Sequence, residues 1–511
     1  MQGGRAAVLM AGMSRFILAL DQGTTSTRAL LFDRAMTPTL AAQIPLAQHF
    51  PQPGWVEHDL DEIWQAALAV LTAAVDKAGG PDAIAAIAIT NQRETTCLWD
   101  RRTLRPLHRA IVWQDRRTAD RCDGLRAAGH EPAVQAATGL LLDPYFSATK
   151  IAWLLDHVPG ARAAAEAGAL AAGTIDSWLI ARLTGGAVHA TDASNAARTL
   201  LFDLAAGAWS AALCDLFGVP QALLPEVRDS AGDFGATDPA VTGVRVPIRA
   251  VLGDQQAALL GQGCVQPGAA KCTYGTGAFL MVNTGASPAR SAHKLLTTVA
   301  WRLDGALTYA VEGAIFSAGA TLQWLRDGLG LFASTADSEA MAAGLADNGG
   351  VYLVPAFAGL GAPQWEAAAR GAIVGLTRDS TRAHLARAAL EAAAYQTADL
   401  ADALAADGAA LDGPLRIDGG MTANAWFRQD LADMLVRPVE TPDHAEMTAA
   451  GAATAAALAV GWLGSLAEAA ARWRPGVQVQ PRLDPATRAR RLAGWKAAEA
   501  GVLAQARFGR A

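Results

Sequence analysis

Phe16-Ile17-Leu18-Ala19-Leu20-Asp21-Gln22-Gly23-Thr24-Thr25-Ser26-Thr27-Arg28-Ala29-Leu30-Leu31-Phe32 is the stretch from which the rest of the chain is read. Two short apolar runs joined by a Gly/Thr turn have the pattern of a β-hairpin. A glycine in such a turn lets backbone N–H groups approach a phosphate closely. The hydroxyls of Thr24, Thr25 and Ser26 add donors, and Arg28 adds charge. Asp21, where the first run ends, suits Mg2+ held through water, because that ion takes few carboxylates and keeps much of its hydration. An ordinary polar turn has the same composition, so the neighbouring segments carry the decision.

Outward from the hairpin, Leu40 to Leu46 is expected to add a third strand. Asp59 with Glu62 forms a capping-box pattern, and Ile63, Ala67, Val70, Leu71 and Ala74 then recur with helical period. Ile84 to Ile89 alternates and ends at Thr90, which reads as a strand. The second half repeats the theme. Lys271 to Tyr274, Gly275-Thr276-Gly277 and Ala278 to Val282 form strand, turn and strand. Leu415 to Ile417 is a short strand ending at Asp418, with Gly419-Gly420 next and a helix opening at Asn424. Met447 to Val460 is an Ala-rich helix. Hairpins with crossover helices predict two α/β domains of partly duplicated design. The boundary falls near Gly261 to Pro267, giving domains 14–263 and 264–511 behind a loose extension, residues 1–13.

The size of 511 residues exceeds one ordinary core, and 52% hydrophobic against 18% charged residues supplies two. A net charge of −6 without a long basic stretch argues against nucleic acid. Arg488, Arg490 and Arg491 stand beside Leu492 and Trp495 and read as a solvated helix face. Five scattered cysteines with no CxxC pair disfavour disulfides and zinc and fit a reducing, cytoplasmic setting as small buried apolar residues. The apolar run Ala6 to Met13 is cut by Arg15 without a cleavage signal, and Met13 is an alternative start to Met1. No apolar run has membrane-spanning length, so no membrane insertion is expected.

Four further elements carry chemistry. Gly253-Asp254-Gln255-Gln256-Ala257 follows a strand at Arg249 to Leu252 and opens a helix. Asp254 there is either a base that accepts a hydroxyl proton or simply a helix cap. The Tyr274 to Gly277 turn is a second hairpin of the phosphate-loop type. Asp418-Gly419-Gly420-Met421-Thr422-Ala423-Asn424 sets two glycines against a helix start, where a nucleotide can lie close to backbone. Asn91-Gln92-Arg93-Glu94 directly follows a strand; Arg93 and Glu94 offer donors and acceptors to neighbouring hydroxyls, or form a surface ion pair of little consequence. Trp113 and Phe279 are either apolar walls or plain core. No GxxxxGK[ST] occurs, which excludes a Walker loop, and Gly261-Gln262-Gly263 lacks the rest of a dinucleotide fingerprint.

These segments, in order, resemble the glycerol kinases of the FGGY carbohydrate kinase family, from about residue 15 to about residue 500. LDQGTTSTRALLFD, ITNQRETTCLWD, GDQQAALLGQ, YGTGAFLMVNTG and RIDGGMTANAW carry the likeness. So do two wider family patterns: Tyr145-x-Ser147-x-x-Lys150-Ile151-x-Trp153, and Gly371 through Gly375-Leu376 and His384-Leu385 to Glu391. The resemblance implies two ribonuclease-H-like domains of actin/hexokinase type flanking a cleft, and ATP-dependent phosphorylation of glycerol with Mg2+. It implies Asp254 as the base. Arg93, Glu94, Tyr145, Asp254 and Gln255 would bind the triol between Trp113 and Phe279. Thr24, Thr25, Ser26 and Arg28 would cradle phosphates, and Asp21 would position Mg2+. Thr276, Gly319, Gln323, Gly420 and Asn424 would hold the nucleotide. A homodimer or homotetramer is implied as well. One departure is visible: Asp238 to Arg245 keeps Arg245 but lacks the Lys and most glycines with which some relatives bind an inhibitory sugar bisphosphate.

Two other readings remain open from sequence. One is a kinase for another polyol or a ketose. The other is an actin- or chaperone-like switch that hydrolyses ATP, which has no use for Arg93, Glu94 and Tyr145.

Overall fold

The computed structural model describes residues 14–409 and 411–508. The expected extension, residues 1–13, and the alternative start at Met13 lie outside the described residues. The opening hairpin forms as read. β1 (Phe16–Gln22) pairs antiparallel with β2 (Ser26–Phe32), Leu20 opposite Ala29 and Asp21 opposite Arg28. β3 (Pro38–Pro45) extends the sheet beyond β2. α1 (Leu60–Ala78) starts where Asp59 accepts from the N–H groups of Asp61 and Glu62, and the predicted stripe from Ile63 to Ala74 is its buried face.

β4 (Ile84–Asn91) and β5 (Ile248–Gly253) complete a five-stranded sheet in the order β5-β4-β1-β2-β3. β4 runs one residue beyond the expected end and is buried on both faces rather than alternating. The reason is its interior place, parallel to both β1 and β5, with apolar layers on each side.

The second half builds a seven-stranded sheet from β6 (Ala270–Tyr274), β7 (Ala278–Gly285), β8 (Leu296–Leu303), β9 (Ala306–Ile315), β10 (Leu415–Asp418), β11 (Val439–Pro442) and β12 (Pro475–Val479). Their order is β8-β9-β7-β6-β10-β11-β12. Within it, β9-β7-β6-β10-β11 repeats β3-β2-β1-β4-β5. Each begins with a hairpin, adds an antiparallel strand on one side and two parallel strands on the other. This is the ribonuclease-H-like unit twice over.

Helices α2 (Asp254–Gly261), α3 (Arg382–Ala406), α4 (Ala425–Leu435), α5 (Met447–Ala459) and α6 (Pro485–Phe508) cover these sheets. α5 belongs to the second half by sequence but packs on β1, β4 and β5 of the first sheet and against α2. The solvated face expected around Arg491 is corrected here. Its guanidinium turns inward, donating to Tyr395 Oη at 2.9 Å and lying 2.7 Å from Asp430 and 3.1 Å from Glu391. Those buried acids need a counter-charge, and α6 supplies it. All five cysteines are free and buried. Among the described residues, no helix is long and apolar enough to cross a membrane.

α2 and α5 touch backbone to backbone. A Cβ on Gly261 would sit 2.0 Å from the Met447 carbonyl oxygen, and one on Gly451 would sit 1.7 Å from that of Ala257. Alanine in place of Gly451 gains about 1 kcal/mol of helix propensity, but forcing rigid backbones apart costs more, about 2 kcal/mol or above. Gly451→Ala is therefore expected to lower the thermal midpoint by about 2 °C or more. An unchanged or raised midpoint in a melting curve would show that the helices separate freely.

Candidate active site

β1, β4 and β5 end level, with Gln22, Asn91 and Gly253 in one row of the register. The segments that follow them, Gly23-Thr24-Thr25, Gln92-Arg93-Glu94 and Asp254-Gln255, therefore leave the same sheet edge, the carboxyl end where parallel sheets gather ligands. Gly253 is required there, since a Cβ would lie 2.8 Å from Cγ and Cδ of Arg93. Glu94 sits at φ 60°, with Thr95 N–H closing on the Arg93 carbonyl at 2.7 Å. Holding a glutamate in this left-handed turn costs about 1 kcal/mol and aims its carboxylate inward.

Thr24, Thr25, Arg93, Glu94, Trp113, Tyr145, Asp254, Gln255, Thr276, Phe279 and Gln323 line one cavity of about 630 Å³. Thr276 and Gln323 also line an adjoining cavity of about 380 Å³, together with Gly319, Gly420 and Asn424. The hairpin loop and Asp254, 230 residues apart, thus share one space. Ser26 and Arg28 lie outside both linings. Ser26 Oγ accepts from Gln43 Nε2 at 3.1 Å, while Arg28 pairs with Asp21 across the hairpin and with Glu446 at 2.9 Å. Asp21 is buried beneath the loop.

The walls are tied together from behind. Trp113 Nε1–H donates to Thr24 Oγ at 3.0 Å, and its ring meets Tyr145 and Phe279 edge-on. Lys150 donates to the carbonyls of Tyr145 (2.6 Å) and Pro144, and Ser147 Oγ donates to the Glu94 carbonyl at 3.1 Å. Burial pulls the Lys150 ammonium down to about 8.

Arg93 and Glu94 do not form a surface pair: both are buried and their nearest charged atoms are 4.0 Å apart. Arg93 Nε instead lies 3.2 Å from Asp254 Oδ1, and its other nitrogens reach Glu312 and Tyr145. Arg198 Nε donates to Glu94 at 2.6 Å. Asp254 opens onto the cavity with its side chain 30% exposed. Removal from bulk water raises its pKa, while Arg93 and Lys271 pull it back.

Sequence reading missed Glu312, Arg198 and Lys271. A signal existed for the first and third: each is a charged residue inside an otherwise apolar strand, which demands a buried partner.

Residues 16–261 match the N-terminal domain, and residues 270–460 the C-terminal domain, of the FGGY family of carbohydrate kinases. The chain belongs to that family. Within it, curated relatives are glycerol kinases. That of Rhodospirillum centenum is 58% identical over 94% of this chain and 96% of its own length. That of Methylobacterium nodulans is 56% identical over 95% and 98%. Among solved structures, Plasmodium falciparum glycerol kinase with ADP superposes with a TM-score of 0.89 at 34% identity, covering 96% of this chain and 99% of that one. A xylulose kinase from Rhodospirillum rubrum gives 0.82 at 28% identity, covering 96% and 100%.

Beneath the phosphate-type loop, Gln92 Nε2 bonds Gln22 Oε1, the Gly23 carbonyl and, at 3.2 Å, Nδ1 of fully buried His58. Burial holds His58 neutral, its pKa down to about 4, with His49 adding repulsion. Because the unfolded ring binds its proton near 6.5, stability is lost as pH falls from 6.5 toward 4. The loss by pH 5 is about 2 kcal/mol. Relative to His58→Gln, the wild-type protein should lose that margin between pH 7 and pH 5 in denaturant titrations. A pH-independent difference would refute a buried neutral ring.

Proposed function

We propose that this protein transfers the terminal phosphoryl group of ATP to the 3-hydroxyl of glycerol, forming sn-glycerol 3-phosphate, with Asp254 as general base. One observation carries the reading: the acid, the polyol-type polar cluster and the hairpin loop line one cavity that joins a second cavity bounded by Gly319, Gly420 and Asn424. The relatives named as glycerol kinases support the choice of substrate.

On this reading Arg93, Glu94, Tyr145, Asp254 and Gln255 bind the three hydroxyls, and Trp113 and Phe279 flank the carbons. Thr24 and Thr25 hold the phosphates, with Ser26 and Arg28 bracing the loop from β2. Thr276, Gly319, Gln323, Gly420 and Asn424 take the nucleotide. Residues 14–263 then hold polyol and phosphate, and residues 264–511 hold the nucleotide. Asp21 stands close enough for its charge to raise the Asp254 carboxyl, a sparse carboxylate set of the kind Mg2+ prefers. Asp21 would hold that ion, which supplies positive charge beside the transferring group.

Phosphoryl transfer passes through a loose transition state, so alignment and charge do most of the work. Asp254 accepts its proton late, and an ordinary carboxylate serves. A cavity walled by several polar groups disfavours a polyol that leaves them unpaired. We place the enzyme in the cytoplasm as a homodimer or homotetramer. Inhibition by a sugar bisphosphate is not expected, since Asp238 to Gly243 forms only a short capped helix turn followed by exposed Arg245.

A coupled ADP-release assay should show turnover with glycerol and far less with erythritol, xylulose or ribulose. Asp254→Asn is expected to reduce kcat by roughly three orders of magnitude, while calorimetry still detects glycerol binding. Near-normal turnover in that variant would remove the base assignment, and wild-type ADP release indifferent to glycerol would remove the substrate.

A further inference from the structure

Glu312 stands in the middle of β9, on the second sheet, with its side chain completely buried. Its two oxygens reach residues of the first half: Oε2 accepts from an Arg93 terminal nitrogen at 2.5 Å and Oε1 from Arg198 at 2.8 Å. Arg93 keeps Nε for Asp254 and its remaining nitrogen for Tyr145, at 3.2 and 3.5 Å. Arg198 keeps Nε for Glu94. Three of the groups thereby held, Glu94, Tyr145 and Asp254, line the cavity, and Glu312 does not.

We propose that Glu312 is a positioning residue of the polyol site, fixing Arg93 and, through Arg198, Glu94 in the orientations that meet substrate hydroxyls. The proposal rests on the glycerol kinase reading above.

Charge balance supplies the physical reason. Two guanidinium groups close enough to repel each other are matched by Glu94 and Glu312, so Asp254 faces the cavity without being claimed outright by Arg93. An arginine side chain has many rotamers, and tying one edge of its planar fork removes most of that freedom. Without the Glu312 charge, Arg93 retains only Glu94 and Asp254 as acidic partners. It would close onto Asp254 and occupy the space where a hydroxyl should bind. Since Glu312 comes from the second sheet, the orientation of that sheet is built into the grip on a substrate held by the first.

The test compares full-length Glu312→Gln and Glu312→Asp with wild type, reading kcat, KM for glycerol, KM for ATP and ADP affinity. Glu312→Gln, isosteric but uncharged, should raise KM for glycerol about tenfold or more, while KM for ATP and ADP affinity shift less than about threefold. Glu312→Asp, shorter but charged, should be the milder change. A role in packing alone reverses that order, because the shorter side chain then does more damage. Unchanged KM for glycerol in Glu312→Gln, or a parallel loss of ATP and ADP affinity, would overturn the proposal. Arg198→Lys keeps the charge but loses the fork between Glu94 and Glu312. It should give the same split and keeps the test open if Glu312→Gln does not fold. Failure of the underlying reading shows differently, as wild-type protein without glycerol-dependent ADP release.

Discussion

Two arginines and two glutamates buried together, Arg93, Arg198, Glu94 and Glu312, set the terms for everything around them. Each ion costs several kcal/mol to bury, recovered only where opposite charges meet in good geometry. The loop after β4, the segment ending at Arg198 and the middle of β9 must therefore converge, although up to 219 residues separate them. Apolar side chains of similar volume would hold the halves together at least as well. The cavity lies beside these four groups, and Arg93 and Glu94 form part of its lining. Burial alone would neutralise Glu312, yet Arg198 and Arg93 hold it below the usual carboxylate range. Glu94, with a weaker share of the same arginines, is raised by its burial.

Duplication of the sheet explains why the cavity lies between the halves. In both units a hairpin turn and the end of the neighbouring parallel strand emerge on one edge: Gly23 beside Gln92 in the first, Tyr274 beside Gly419 in the second. The close contact of α2 with α5 brings these edges together. Asp254 opens α2, so the helix that joins the two units also presents the candidate base.

Much of this was legible in the residues. Strand-and-turn punctuation located both hairpins, and the Asp59 cap and apolar period located the start and buried face of α1, though the helix runs four residues past the last periodic position, to Ala78. Asp254, Arg93 and the Thr24-Thr25 loop stood out because each follows a strand end, where polarity changes abruptly, but the residues alone left Asp254 open between base and helix cap, and its role came from the family resemblance. Other features depend on tertiary partners that no local pattern specifies. β4 alternates in sequence but is covered on both faces. Arg491 sits in a basic run yet pairs with acids from α3 and α4. Arg198 lies in a stretch without strand or helix signal, and its role follows only from Glu94 and Glu312 meeting it. The reach of Arg28 back to Asp21, rather than forward to the loop, follows from hairpin register, which one strand alone does not define.

Trp113 joins two walls of the cavity. Its indole ring supplies apolar surface beside Tyr145 and Phe279, while its N–H holds Thr24 in the hairpin loop. Thr95, next to Glu94, steadies the same residue by accepting from its backbone N–H, and donates to Gln92 under the loop. The wall at Trp113 and the hairpin loop at Thr24 are thus parts of one hydrogen-bonded unit. A three-carbon alcohol packed against that indole would restrict its rotation and, through Thr24, the loop facing the phosphates. Rigidity gained where the acceptor binds would then appear where the phosphoryl group departs. For a loose transition state that depends on alignment, this is the most direct way for one substrate to prepare the site for the other.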